Sequence, residues 1–115
     1  MSAMRFLLAL LLATPAFASE TGTYGSVTSG KDVFMQWCWE CHGSDNPHGS
    51  GTWSLKRSPG DSRSPYLEMR YGLTNDYVSL VVRQGLLFMP AFRQTEISDA
   101  ELQALANYLS SEASE

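Results

Sequence analysis

The reactive side chains of this sequence gather in residues 37–42, "WCWECH". They include both cysteines, Cys38 and Cys41, and one of the two histidines, His42. Three kinds of chemistry suit them. Cys-x-x-Cys after a tryptophan is a pattern of thiol–disulfide exchange sites. Two cysteines and His42, with His48 close behind, are a possible zinc set. Cys-x-x-Cys-His is also the signal for covalent haem attachment, in which two sulfurs bond the porphyrin edge and the adjacent histidine reaches the iron.

The flanking sequence separates these readings. A redox-thiol site follows a buried strand in a βαβ frame. Here the preceding "GKDVFMQW" has helical period, with Val33, Phe34, Trp37, Cys38 and Cys41 at spacings of three and four. A plain Cys38–Cys41 disulfide would close too small a loop to constrain the unfolded chain. Zinc fingers place their second ligand pair a dozen or so residues away, and a histidine adjacent to a cysteine turns its side chain away from it. The sequence favours haem.

A second axial ligand closes the iron to small molecules and favours electron transfer. Met35, Met69, Met89 and His48 are the candidates. Met35 lies on the helix of the cysteines, on the attachment side. His48 follows His42 too closely to cross to the opposite face. Met69, in "YLEMRYG", reads as packing. Met89 precedes Pro90 on a loop between helices, and a thioether there raises the reduction potential. The predicted axial pair is His42 and Met89.

The elements that must position these groups are helical. Residues 4–18, "MRFLLALLLATPAFA", have one basic residue, a short apolar run and an A-x-A site, the pattern of a secretory signal peptide. Cleavage after Ala18 leaves 97 residues with no membrane span. Residues 19–30 read as a flexible leader and 31–115 as one domain. The spacing predicts helices over about 31–38, 64–72 and 75–84, and one after Ser98, where Ser98 and Glu101 form a capping box. Tyr77, Leu80 and Val81 are the expected apolar stripe of the third helix. Leu102, Leu105, Ala106 and Leu109 are that of the last. Residues 43–60 and 85–97 read as loops. The class is all-α, three to four short helices and long loops around one covalent haem, which supplies the core that so small a chain lacks. The net charge of −4 becomes about −5 after cleavage, which excludes nucleic acid and suits a basic partner surface.

"VRQGLLFMP" fits Val-x-x-Gly-x-x-x-Met-Pro and resembles the methionine loop of class I c-type cytochromes. Gly30 with Phe34, and Leu105 with Tyr108, resemble the crossing of their first and last helices. "GTWSL" departs from the family's Gly-Pro-x-Leu, whose proline carbonyl orients the axial histidine. Leu55 still suits packing on the ring, and Pro47 or a nearby backbone carbonyl is the expected acceptor for the His42 ring N–H. Trp53, Lys56, Arg57, Arg63 and Arg70 are candidates for the propionates or for solvated surface.

Residues 73–110, with "MPAFRQTEISDAEL" foremost, are similar to the cytochrome subunits of p-cresol methylhydroxylase and eugenol hydroxylase flavocytochromes. That resemblance implies an electron carrier with haem c and no substrate pocket. Its partner would be a larger vanillyl-alcohol-oxidase-like flavoprotein with covalent FAD, oxidising 4-alkylphenols. Electrons would pass from the flavin to this chain and on to another carrier, in the periplasm. Leu87, Phe88, Ala91 and Phe92 are either partner contacts or haem packing. The alternative is a free-standing periplasmic cytochrome serving a terminal oxidase, peroxidase or other dehydrogenase.

Overall fold

Gly30 decides how the first and last helices meet. A Cβ there would lie 2.1 Å from the Ala104 carbonyl oxygen and 2.6 Å from Tyr108 Cβ, so only glycine permits this approach. Residues 29–112 are described, in a computed structural model. The signal segment and the leader up to residue 28 lie outside them.

Helix α1 is Gly30–Trp37. Ser29 caps it, its Oγ accepting from the Asp32 N–H at 3.2 Å. The last helix, α5 (Asp99–Glu112), crosses α1. Phe34 and Tyr108 pack in a tilted ring pair with centroids 6.1 Å apart. The expected capping box is formed: Glu101 N–H donates to Ser98 Oγ at 3.3 Å, and Ser98 N–H to Glu101 Oε2 at 2.8 Å.

One helix occurs where loop was expected, and a further turn extends past the first predicted helix. Residues Trp39–His42 form a single turn, α2, and Ser50–Lys56 form α3. The glycines and serines of 49–54 weaken the helical signal in sequence. What holds α3 is its contact with α2. Conversely, the helix expected over 64–72 shrinks to the 3-10 turn Leu67–Met69.

Helix α4 (Asn75–Gln84) begins at Thr74, whose Oγ1 accepts from Tyr77 N–H at 3.2 Å, and ends at Gly85 with φ +74°. Its buried face differs from the expected stripe. Val78 and Val82 are buried, whereas Tyr77 and Leu80 are about half exposed. The i, i+4 valine pair packs with α5, and the bulkier residues lie off that line.

The core joins Val33, Phe34 and Cys38 to Leu73, Val78, Val82 and Ile97, and to the expected α5 stripe of Leu102, Leu105, Ala106 and Leu109. Among the described residues there is no strand, only an isolated bridge between Leu86 and Met89. No described helix is long and apolar enough to cross a membrane.

Candidate functional site

One carbonyl organises the Cys-x-x-Cys-His turn. The Cys38 N–H donates to the Phe34 carbonyl at 2.8 Å, which ends α1. The Cys38 carbonyl then accepts from both Cys41 N–H (3.1 Å) and His42 N–H (2.9 Å). Cys38 is buried, Cys41 exposed and His42 half-buried. Both cysteines are free thiols.

Burial, with the Cys41 thiol nearby, pushes the Cys38 thiol up to about 12. As a free thiol, Cys38 would therefore stay protonated and be a poor redox nucleophile. Burial pulls His42 below the ordinary histidine value, which keeps the ring neutral with a lone pair to offer a metal. Among the described residues, no three His, Cys, Asp or Glu side chains come together as a metal-binding group. His48 is exposed.

The first turn of α3 lies against this motif. Thr52 is 1% exposed, and its hydroxyl donates to the Cys41 carbonyl at 3.3 Å. The Ser50 hydroxyl donates to Cys41 Sγ at 3.4 Å. At Gly49 a Cβ would come within 2.6 Å of the Cys41 carbonyl oxygen. At Gly51 it would lie 2.2–2.6 Å from three atoms of the His42 ring. Leu55 is half-buried and shares a face of α3 with Gly51, one turn away.

Trp39, which has no evident role in the sequence, acquires one here. Its indole N–H donates to Asp45 Oδ1 at 2.8 Å, and its ring covers Gly43, where a Cβ would approach to 2.5 Å. It thus folds the segment after His42 back on the motif. Trp37 packs edge-on to Phe92 at 5.9 Å, bringing the methionine loop to the end of α1.

That loop is pinned by backbone. Leu86 and Met89 exchange both N–H···O=C bonds, at 3.1 and 2.9 Å. Phe92 N–H donates to the Val82 carbonyl at 2.8 Å, and Arg83 donates to the Phe92 carbonyl at 3.1 Å. Arg83 also pairs with Asp99 at 2.8 Å. Met89 is partly buried and packs on the same core cluster as Cys38. Between Leu86 and Met89, Leu87 (φ +53°) and Phe88 are 93% and 99% exposed.

The propionate candidates separate. Arg70 is buried, donating to the Asp61 carboxylate and, at 2.8 Å, to the Ser64 carbonyl. Arg63 also pairs with Asp61, at 2.9 Å. Arg57 sits over the Trp53 ring at 5.4 Å.

The residues present fit a covalently held haem. Two thiols lie one turn apart on one motif, and a thioether packs on the same core. The histidine is neutral, with a buried Nδ1 that has no hydrogen-bond partner. The close-fitting glycine at 51 leaves that ring its space.

Sequence comparison agrees with this chemistry. Residues 25–109 match the family described as cytochrome c oxidase, cbb3-type, subunit III. The cytochrome c subunit of 4-cresol dehydrogenase [hydroxylating] from Pseudomonas putida is 34% identical over 83 residues. That alignment takes in 72% of this chain but only 59% of the relative's length. Two crystal structures of p-cresol methylhydroxylase, one with substrate bound, each contain a chain 33% identical, with TM-score 0.50. Those matches cover 74% of this chain and 93% and 94% of theirs. The family match over most of the chain, on a helical fold shaped around a Cys-x-x-Cys-His turn, makes this protein a member of the c-type cytochrome family, an electron-transport protein of class I fold that carries haem c.

Proposed function

We propose that this chain is the electron-transfer subunit of a flavocytochrome. It takes electrons from the covalent FAD of a larger, vanillyl-alcohol-oxidase-like flavoprotein that oxidises 4-alkylphenols, and passes them to another carrier. The observation that carries this reading is the 33% identity to a p-cresol methylhydroxylase chain that is matched over 93% of its length. The export signal over 1–18, cleavage after Ala18 and a periplasmic location belong to the same proposal.

In this reading Cys38 and Cys41 hold the haem through thioethers, each formed by adding S–H across a vinyl double bond. His42 and Met89 would bind the iron, and Leu55 would pack against the porphyrin. When bound, the haem supplies a one-electron Fe(III)/Fe(II) couple. The chain's own contribution is electrostatic and steric. A neutral imidazole and a soft thioether favour the reduced state and raise the potential. A methionine in the sixth position would close the iron to oxygen. The exposed Leu87 and Phe88 lie next to Met89 and would be the surface a partner meets.

Co-expression with the candidate flavoprotein tests this. The expected result is a complex containing covalent flavin and haem, with haem reduced on adding a 4-alkylphenol. A stable cytochrome that no such flavoprotein reduces would overturn it. The description of the matched family as an oxidase subunit favours a second reading, a free-standing cytochrome delivering electrons to a terminal oxidase. Rapid oxidation of the reduced protein by oxidase-containing membranes alone would support that one.

A further inference from the structure

We propose that the first turn of α3 orients the His42 ring by backbone contact at Gly51, leaving Nδ1–H without a backbone acceptor, and that this raises the potential of the centre. The inference rests on His42 being an iron ligand.

Three anchors hold this turn in place, and all of them address Cys41. Gly49 fits against the Cys41 carbonyl, Ser50 Oγ reaches Cys41 Sγ at 3.4 Å, and Thr52 Oγ1 reaches the Cys41 carbonyl at 3.3 Å. Thr52 is buried, so that bond is shielded from water. The position of α3 is therefore fixed independently of the histidine. Gly51 lies between the anchors and meets the ring itself. An ideal Cβ at residue 51 would stand 2.2 Å from His42 Cε1, 2.5 Å from Nδ1 and 2.6 Å from Nε2. No rotamer relieves such a contact, because Cβ is set by the backbone. Either the ring turns or α3 lifts off.

A second observation bears on the hydrogen bond. Nδ1 is buried and unpartnered, and Gly51 packs against the ring that carries it. Neither Pro47 nor any other carbonyl takes the role expected from the sequence. An axial imidazole whose outer N–H is bound by a carbonyl or carboxylate becomes more basic and stabilises the higher oxidation state. Without that acceptor, His42 is the weaker donor, and Fe(III) is the state that loses. Gly51 is thus a positioning residue that sets the angle of the ring by shape alone.

The haem-loaded full chain is the material for the test. In the ferrous wild type, ¹⁵N-edited NMR of the imidazole is expected to show an Nδ1–H without strong deshielding. A strongly deshielded, slowly exchanging Nδ1–H coupled to a backbone carbonyl overturns the proposal. Gly51→Ala is expected to shift the potential and the His42 ring hyperfine shifts in the ferric protein. Thr52→Val removes an anchor but touches no ring atom, so it is expected to lower thermal stability without moving the potential. A haem-loaded Gly51→Ala with unchanged potential and ring shifts overturns the proposal, as do equal shifts in both variants. If Gly51→Ala takes up no haem, the wild-type spectrum decides alone. Diamagnetic His42 ring signals in the ferric wild type would instead sink the ligand assignment, whatever Gly51 does.

Discussion

The two sides of the proposed haem site, the Cys-x-x-Cys-His turn and the methionine loop, are built in opposite ways. On the attachment side, Cys38, Cys41 and His42 share one turn, and α3 lies against it through Gly49, Ser50, Gly51 and Thr52 in succession. On the methionine side, Met89 sits on a loop whose neighbours Leu87 and Phe88 project almost fully into solvent. Leu87 even adopts a left-handed backbone, which disfavours residues with a Cβ. One side is held by redundant local contacts. The other is held by fewer and more scattered ones, namely Arg83 to the Phe92 carbonyl, Trp37 against Phe92, and the Leu86–Met89 bridge. With the haem held as proposed, the difference implies that retaining the cofactor and tuning it are separable tasks in this fold. Covalent and local structure retain it, and a lightly held loop tunes and presents it.

The largest effect should come from breaking the attachment side. Cys41→Ser and His42→Ala are expected to abolish accumulation of the haem-loaded protein, read by haem staining after denaturing electrophoresis. Full loading of either would end the comparison as drawn. Met89→Ala comes next and should act oppositely. The haem stays attached, the thioether-to-iron absorption band of the ferric protein disappears, and the potential falls by part of the ~0.8 V span that axial ligands command.

Arg83→Leu sharpens the contrast. It removes the donor to the Phe92 carbonyl and the partner of Asp99, a combination expected to cost roughly 1–3 kcal/mol. The thioether band should then be lost at a lower temperature than helical circular dichroism. Coincident transitions would show that the methionine loop is no weaker than the rest.

Acid should reveal the same asymmetry. Hydrogen bonds from Arg83 and Gln94 hold Asp99 below the ordinary carboxylate value, and those from Ser98 do the same for Glu101. A carboxylate with a depressed folded pKa contributes stability above its unfolded value, near 4, and loses it as pH falls through the folded one. Below about pH 4 the thioether band should therefore fade before the haem environment of His42 changes. The smallest effect is at the loop tip. Leu87→Gly relieves the left-handed strain, stabilising the fold by up to about 1 kcal/mol, while removing apolar contact area slows reduction by a flavoprotein partner. A faster electron transfer in that variant would remove the tip from the docking surface.

Much of this was legible in sequence because the signals were local. The Cys-x-x-Cys-His pattern, the capping box at Ser98, the α5 stripe and the Gly30 crossing each depend on residues within a turn or two, or on a glycine needed for close approach. What sequence did not reveal depended on partners distant in the chain. Helix α3 is rich in residues that weaken helices and stands because Cys41 offers it a carbonyl and a sulfur. Val78 and Val82 take the buried face of α4 from the bulkier Tyr77 and Leu80 because the surface of α5 selects them. Trp39 found its partner in Asp45, six residues on, a pairing no periodicity marks. The role of Gly51 was hidden among many loop glycines, and only the position of the His42 ring singles it out.

The Gly30 crossing also fixes an order of events. Its partners, Ala104 and Tyr108, belong to α5, far along the chain, so the pairing of α1 with α5 must wait until both segments are present. Until then Cys38 has no core to enter, and its sulfur stays open to reagents. Once the two ends meet, the thiol is buried and its reactivity falls with it. The helix crossing would thus be a clock as well as a clamp: if Cys38 holds the haem as proposed, attachment of the cofactor would belong to the interval before the crossing closes.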